Sequence, residues 1–186
     1  GGYEVYSWAC EYPEEMDFIM VSRSSFKTNG YRYVISKCIE SIIDSSDDFY
    51  SEVYSDSLSK MMVSINRVMY SNYFSKNIFQ KMTNDEIDVL MDNFVDNGLF
   101  VDIYDFKYRN DAVLNYDVED KLENIKASTL LVWGECDTAS PLWMAKVMEE
   151  KIKDCGLVVM PGLSHWNFIE NPAQVDAILK SFLGGK

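Results

Sequence analysis

Three short apolar runs constrain the fold of this chain more than any other feature of its sequence. They occupy residues 18–21, 129–133 and 157–160, and each is continuous rather than alternating. A continuous apolar run of this length is typical of a parallel strand that is covered on both faces. Helical periodicities lie between and around the runs. This order of elements predicts an α/β protein with a parallel sheet flanked by helices.

The long segment between the first two runs has helical periods and no strand pattern. Residues 26–116 are too many for a single crossover helix, and they are interpreted as an inserted helical cap over the C-terminal ends of the strands. Tyr, Met and Phe are frequent in this segment. Two interpretations of these side chains stay open: they pack the cap's own core, or some of them line an apolar substrate pocket.

The loops after the second and third runs carry the residues of chemical interest. Asp137 lies four residues beyond the end of the second run, and His165 lies five residues beyond the end of the third. Active crevices of open α/β sheets lie outside the carboxyl ends of the strands. If these two strands are adjacent, Asp137 accepts the Nδ1 proton of His165 at roughly 2.6–3.2 Å and orients the ring.

The residues of these loops also have alternative roles. His165 alone would be an ordinary structural residue, and Asp137 could be a turn residue or helix cap, although Ser140 is better placed to cap the next helix. Glu135 is the alternative acid. Cys136 is a poor nucleophile candidate, because nucleophile and acid would then be neighbours in one loop.

Two motifs resemble the acid and histidine loops of α/β hydrolases. Residues 133–137 (Trp-Gly-Glu-Cys-Asp) resemble the acid loop, and residues 161–165 (Pro-Gly-Leu-Ser-His), followed by 170–172 (Glu-Asn-Pro), resemble the histidine loop. In this family the catalytic triad runs in the order Ser, acid, His. The resemblance implies an α/β-hydrolase fold in which Asp137 and His165 are catalytic.

The N-terminal residues resemble a subgroup of that family, the homoserine O-acetyltransferase-like enzymes. Gly1-Gly2-Tyr3 match the end of the subgroup's G-x-S-x-G-G nucleophile elbow and the helix that follows. The nucleophilic serine would then lie two residues before Gly1. Residues 1–25 are expected to start the C-terminal half of the α/β core, and residues 117–186 to complete it.

The resemblance leaves the activity open between two chemistries. A serine hydrolase acting on small acyl esters ranks first, because Trp166 follows the histidine where the acyltransferase subgroup has Asp. An acyltransferase is the alternative, and a non-catalytic fragment that binds a partner is a third. Ser22, Ser24 and Ser25 lack the G-x-S-x-G context. The chain alone is therefore expected to be inactive, with its N-terminal segment either absent or present as a separate chain.

Composition excludes several other classes. The formal net charge of -13 disfavours nucleic-acid binding, and no apolar stretch is long enough to predict a membrane span. A single histidine excludes zinc motifs such as H-E-x-x-H, and neither a metal nor a cofactor is expected. The four cysteines form no C-x-x-C pair, which favours buried, reduced thiols in a cytoplasmic protein. A homo-oligomer stays open.

Overall fold

The order of helices and strands follows the pattern of the sequence. The computed structural model describes residues 1–51, 53–98 and 101–184, with side chains for all of these except 94–98. The elements in chain order are α1 (Gly2–Glu11), β1 (Phe18–Ser22), α2 (Tyr31–Asp44), α3 (Asp47–Tyr50), α4 (Asp56–Ser71), α5 (Lys76–Phe79), α6 (Asn84–Gly98), α7 (Ile103–Leu114), a 3₁₀ helix (Glu119–Asn124), β2 (Ser128–Gly134), α8 (Leu142–Lys151), β3 (Cys155–Met160), α9 (Asn167–Glu170) and α10 (Pro172–Gly184).

The three strands form one parallel sheet in the order β1-β2-β3. In the register, Leu131 of β2 lies opposite Val21 on one side and Leu157 on the other. The predicted parallel sheet is therefore confirmed, and each strand extends the predicted run by one or two residues. Because the strands are parallel, the loops after β2 and β3 leave the sheet at the same edge.

Helices cover both faces of the sheet. On one face, side chains of α1 and α8 pack against the strands, with Tyr6, Trp133 and Met144 fully or almost fully buried. On the other face, α10 packs Ile178 and Phe182 against a smaller cluster that includes Val132. Burial on both faces explains why the apolar runs within the strands are continuous rather than alternating.

The chain divides into two compact units. We call residues 1–27, 73–75 and 116–186 the sheet unit, and residues 28–72 and 76–115 the helical unit. The predicted cap, 26–116, contains the helical unit together with residues 26, 27, 73–75 and 116 of the sheet unit. It also includes residues 52, 99 and 100, which lie outside the described residues. The predicted core segment 117–186 likewise includes 185 and 186, which also lie outside the described residues.

The helical unit has a core of its own. The helix α4 contacts α2 and α6, and α2 also contacts α7. Ile39, Leu58 and Ile65 are fully buried. The helix α6 begins with a capping box, in which the Thr83 N–H donates to Glu86 Oε2 at 2.8 Å and the Glu86 N–H donates to Thr83 Oγ1 at 3.3 Å. Several of the Tyr, Met and Phe side chains of this segment are therefore packing residues, as Met61 and Phe49 illustrate.

The cysteines differ in part from the prediction. All four are free thiols, but Cys38 and Cys136 are exposed. Cys10 is buried, and burial raises its thiol pKa from the ordinary value. Burial also raises the pKa of Cys155 to about 12. None of the helices in the described part of the chain combines the length and the apolar character that a membrane span requires.

Candidate active site

The acid loop is a tight turn after β2. The Asp137 N–H donates to the Gly134 carbonyl at 3.2 Å, and Asp137 Oδ1 accepts the Ser140 N–H at 2.8 Å. The prediction that Ser140 caps the next helix was wrong. The residue before α8 is Pro141, no side chain caps the helix, and the Ser140 backbone is held by Asp137 instead. Asp137 therefore holds the turn, which is the alternative role to catalysis, but it does so through Oδ1 alone.

The histidine loop is joined to the acid loop by backbone hydrogen bonds. The Glu135 N–H donates to the Met160 carbonyl at 3.0 Å, and the Cys136 N–H donates to the Leu163 carbonyl at 2.8 Å. The backbones approach so closely that a Cβ atom at Gly134 would lie 2.3 Å from the Ser164 carbonyl oxygen. Only glycine fits at this point.

These two loops bring Asp137 and His165 together. The second carboxylate oxygen of Asp137, Oδ2, lies 2.9 Å from His165 Nδ1, within the predicted range. The Asp137 side chain is 0% exposed and that of His165 is 18% exposed. Because an ionised carboxylate can only accept, Nδ1 carries the proton and Nε2 is left as the basic nitrogen. The arrangement can therefore remove a proton from a group placed at Nε2.

The alternative residues of these loops are used elsewhere. Glu135 accepts the Gly162 N–H at Oε2, 2.9 Å away, and so holds the turn of the histidine loop rather than the imidazole. The hydroxyl of Ser164, the residue before the histidine, donates to the Cys136 carbonyl at 3.3 Å. Neither Glu135 nor Cys136 is the residue that the structure pairs with His165.

An aromatic ring that the sequence did not predict packs on the imidazole. Residues 73–75, which we call the strap, lie in the chain between α4 and α5 but belong to the sheet unit. The Tyr73 ring packs on the His165 ring with centroids 4.5 Å apart and planes tilted by 32°. Trp166 packs against Tyr73 and Phe74.

Arg23 is a second residue that sequence analysis did not single out. It follows β1 directly, has a left-handed φ of 69°, and donates from Nη1 to the His165 carbonyl at 3.1 Å. Its guanidinium lies 4.2 Å from the centre of the Phe168 ring. Burial lowers the pKa of Arg23, while Asp137 and Tyr73 act in the opposite direction. Like Asp137 and His165, Arg23 follows a strand, and this position is the feature of the sequence that could have identified it.

Within the part of the chain that the structure describes, no group of three or more His, Cys, Asp or Glu side chains could hold a metal ion.

Several known proteins resemble this chain in sequence or in fold. No protein-family model matches the sequence. A probable acyltransferase of Methanothermobacter thermautotrophicus is 27% identical over 100% of this chain and 57% of its own length. Homoserine O-acetyltransferase from Bacillus anthracis superposes with a TM-score of 0.84 at 16% identity, over 98% of this chain and 57% of that one. An α/β hydrolase from a Medee basin deep-sea metagenome library has a TM-score of 0.79 at 19% identity, over 99% and 62%. This chain has the α/β-hydrolase fold.

This result confirms the α/β-hydrolase fold that the two loop motifs predicted. An acetylester hydrolase from Corynebacterium glutamicum has the same fold, with a TM-score of 0.82 at 15% identity over 97% of this chain and 58% of that one. The chain thus spans 57% of the curated relative and 57 to 62% of these three solved structures.

Proposed function

We propose that this chain carries the acid and the base of a serine-dependent acyl-transfer enzyme that acts on small acyl esters. One observation carries the proposal: the hydrogen bond of 2.9 Å between Asp137 and His165, formed by two loops that follow adjacent parallel strands of an α/β-hydrolase fold. The pair has the polarity that base catalysis needs, with a buried carboxylate on Nδ1 and a partly exposed ring.

In the proposed reaction, His165 Nε2 takes the proton of a serine hydroxyl while the serine oxygen attacks the acyl carbonyl. The tetrahedral adduct expels the alcohol, which leaves with that proton, and an acyl-serine remains. An acceptor then gives its proton to Nε2 and attacks the ester carbonyl, and the second tetrahedral adduct releases the serine oxygen, which takes that proton back from Nε2. Asp137 holds the ring in one tautomer and stabilises its charged form in both halves.

The serine is proposed to lie on a segment that precedes Gly1. Two serine hydroxyls near the pair donate elsewhere: Ser164 to the Cys136 carbonyl and Ser75 to Glu170. A Cβ atom on Gly2 would lie 2.1 Å from Ser24 Cβ, so this position demands glycine, as the end of a G-x-S-x-G-G elbow would. Within the described residues, β1 pairs with β2 alone, which leaves an edge where the elbow's strand could add.

The acceptor distinguishes two candidate activities. Water makes the protein an esterase, as in the hydrolases that share its fold, and the loop motifs favour this reading. An acceptor hydroxyl makes it an acyltransferase, and the relative that is 27% identical over the whole of this chain favours that one. A cytoplasmic location agrees with four free thiols.

A fluorophosphonate probe and an activated ester test the proposal. The 186-residue chain should show neither serine labelling nor ester turnover. The protein isolated from its natural source should carry the serine on the same or a second polypeptide, detected by mass, and label there in the wild type but not after His165→Ala. Labelling within this chain that His165→Ala abolishes would disprove the placement of the serine. No labelling in either protein would leave the non-catalytic, partner-binding alternative.

A further inference from the structure

The strap contacts the histidine loop at several points. Tyr73, Phe74 and Ser75 are all buried. The Tyr73 carbonyl accepts the Trp166 N–H at 2.9 Å, immediately after the histidine. The Phe74 ring meets the Trp166 ring edge-on at 5.1 Å. Tyr73 and Phe74 thus both contact the residue that follows the histidine.

A shared carboxylate extends this contact to the other side of the histidine. Ser75 Oγ donates to Glu170 Oε2 at 2.8 Å, and the Ser164 N–H donates to Glu170 Oε1 at 3.0 Å. The backbone is therefore held just before His165, through Glu170, and just after it, through the Tyr73 carbonyl. What these bonds leave free is the rotation of the imidazole ring itself.

The hydrogen bond to Asp137 restrains that rotation only in part. Rotation about the Cβ–Cγ bond of a histidine has broad energy minima. One contact at Nδ1 therefore still permits the ring plane to tilt. A flat partner on the ring face opposes tilting, because contact is lost over the whole face at once. The Tyr73 ring lies in that position, 4.5 Å from the imidazole centre. A tyrosine face also favours a ring that becomes positively charged when it takes a proton.

We propose that Tyr73 is a positioning residue for His165, which fixes the plane of the imidazole so that Nδ1 stays on Asp137 while Nε2 is presented to the nucleophile. The catalytic purpose of this contact rests on the proposed function, but the contact itself can be measured without any turnover. In this proposal Tyr73 acts on the reaction through the imidazole.

Nuclear magnetic resonance of the 186-residue chain tests the proposal directly, because its one histidine gives a single set of imidazole signals. The wild type should show nuclear Overhauser effects between the ring protons of His165 and Tyr73, and a slowly exchanging Nδ1 proton. Tyr73→Leu and Tyr73→Met should lose the upfield ring-current shift of the His165 ring protons and broaden the Nδ1 proton signal. Tyr73→Phe keeps the flat face and should preserve both.

Phe74→Leu is the matched control, since Phe74 belongs to the strap and contacts Trp166. It should leave the imidazole signals in place, whereas a general loosening of the strap would alter them as much as Tyr73→Leu does. The proposal is overturned if the wild type lacks the Tyr73–His165 effects, or if both non-aromatic variants leave the imidazole unchanged. The wild-type measurement needs no variant to fold. Neither outcome depends on serine labelling, so failure here is distinct from failure of the proposed function.

Discussion

Asp137 makes two different hydrogen bonds with its two carboxylate oxygens. Oδ1 accepts the Ser140 backbone N–H at 2.8 Å, and Oδ2 faces His165 Nδ1 at 2.9 Å. The backbone bond fixes which oxygen faces the ring. A substitution that keeps the shape but changes the hydrogen-bonding groups therefore has a defined outcome.

Asp137→Asn should invert the tautomer of His165. The amide oxygen will face the Ser140 N–H, because only an acceptor fits there, and the amide NH₂ will then face Nδ1. The ring must accept at Nδ1 and carry its proton on Nε2, where it can no longer act as a base. In the serine-bearing protein we expect kcat to fall by on the order of 10⁴. Imidazole ¹⁵N shifts report the tautomer.

The matched control is Glu135→Gln, in the same loop. Glu135 accepts the Gly162 N–H and is exposed, and a glutamine oxygen can still accept that bond. The imidazole shifts should stay as in the wild type. An Asp137→Asn chain that keeps its proton on Nδ1 would show that the Ser140 bond does not fix the orientation of the amide.

At the scale of elements, the strand ends and their loops determine the geometry of the site. Gly134 ends β2 where the histidine loop crosses it, and a Cβ atom there would meet two backbone carbonyl oxygens, at 2.3 Å from Ser164 and 2.6 Å from Leu163. A backbone oxygen cannot rotate away as a side chain can. The acid and histidine loops must separate to admit even a methyl group.

Gly134→Ala should lower the free energy of unfolding by about 1–3 kcal/mol, the usual cost of overpacking. Urea unfolding followed by circular dichroism measures this as a lower midpoint with an unchanged slope. Gly156→Ala, in β3, is the control: a Cβ there has no heavy atom within 4 Å, and the change should stay within about 0.5 kcal/mol. Equal midpoints for the two variants would contradict the close approach of the loops.

The elements also show which features a sequence can predict. The strands were predictable because burial on both faces leaves a local signature, and Asp137 and His165 were predictable because they follow strands. The hydrogen bond from the Ser140 N–H to Asp137 was not predictable, because a serine before a proline is equally suited to cap a helix. Tyr73 was not either, because in sequence it looks like the packing residues around it, and its contact with His165 depends on how a distant part of the chain folds back.

At the scale of the molecule, the sheet unit is assembled from separated stretches of chain. Residues 1–27, 73–75 and 116–186 form it together. Yet Asp137 and His165 are separated by only 28 residues, and a single strand–helix–strand stretch, β2-α8-β3, positions both. The strap is far more distant in sequence: Ser75 and Glu170, which are hydrogen bonded, are 95 residues apart.

This spacing has a consequence for the order of folding. Closing the longer loop costs about 1 kcal/mol more chain entropy, so contacts within β2-α8-β3 should form first. Pulsed hydrogen exchange during refolding measures the order: the Cys136 amide, bonded to the Leu163 carbonyl, should gain protection before the Trp166 amide, bonded to the Tyr73 carbonyl. Protection in the reverse order would show that the strap acts as a template for the histidine loop. In the expected order, Tyr73 reaches an imidazole that Asp137 already holds.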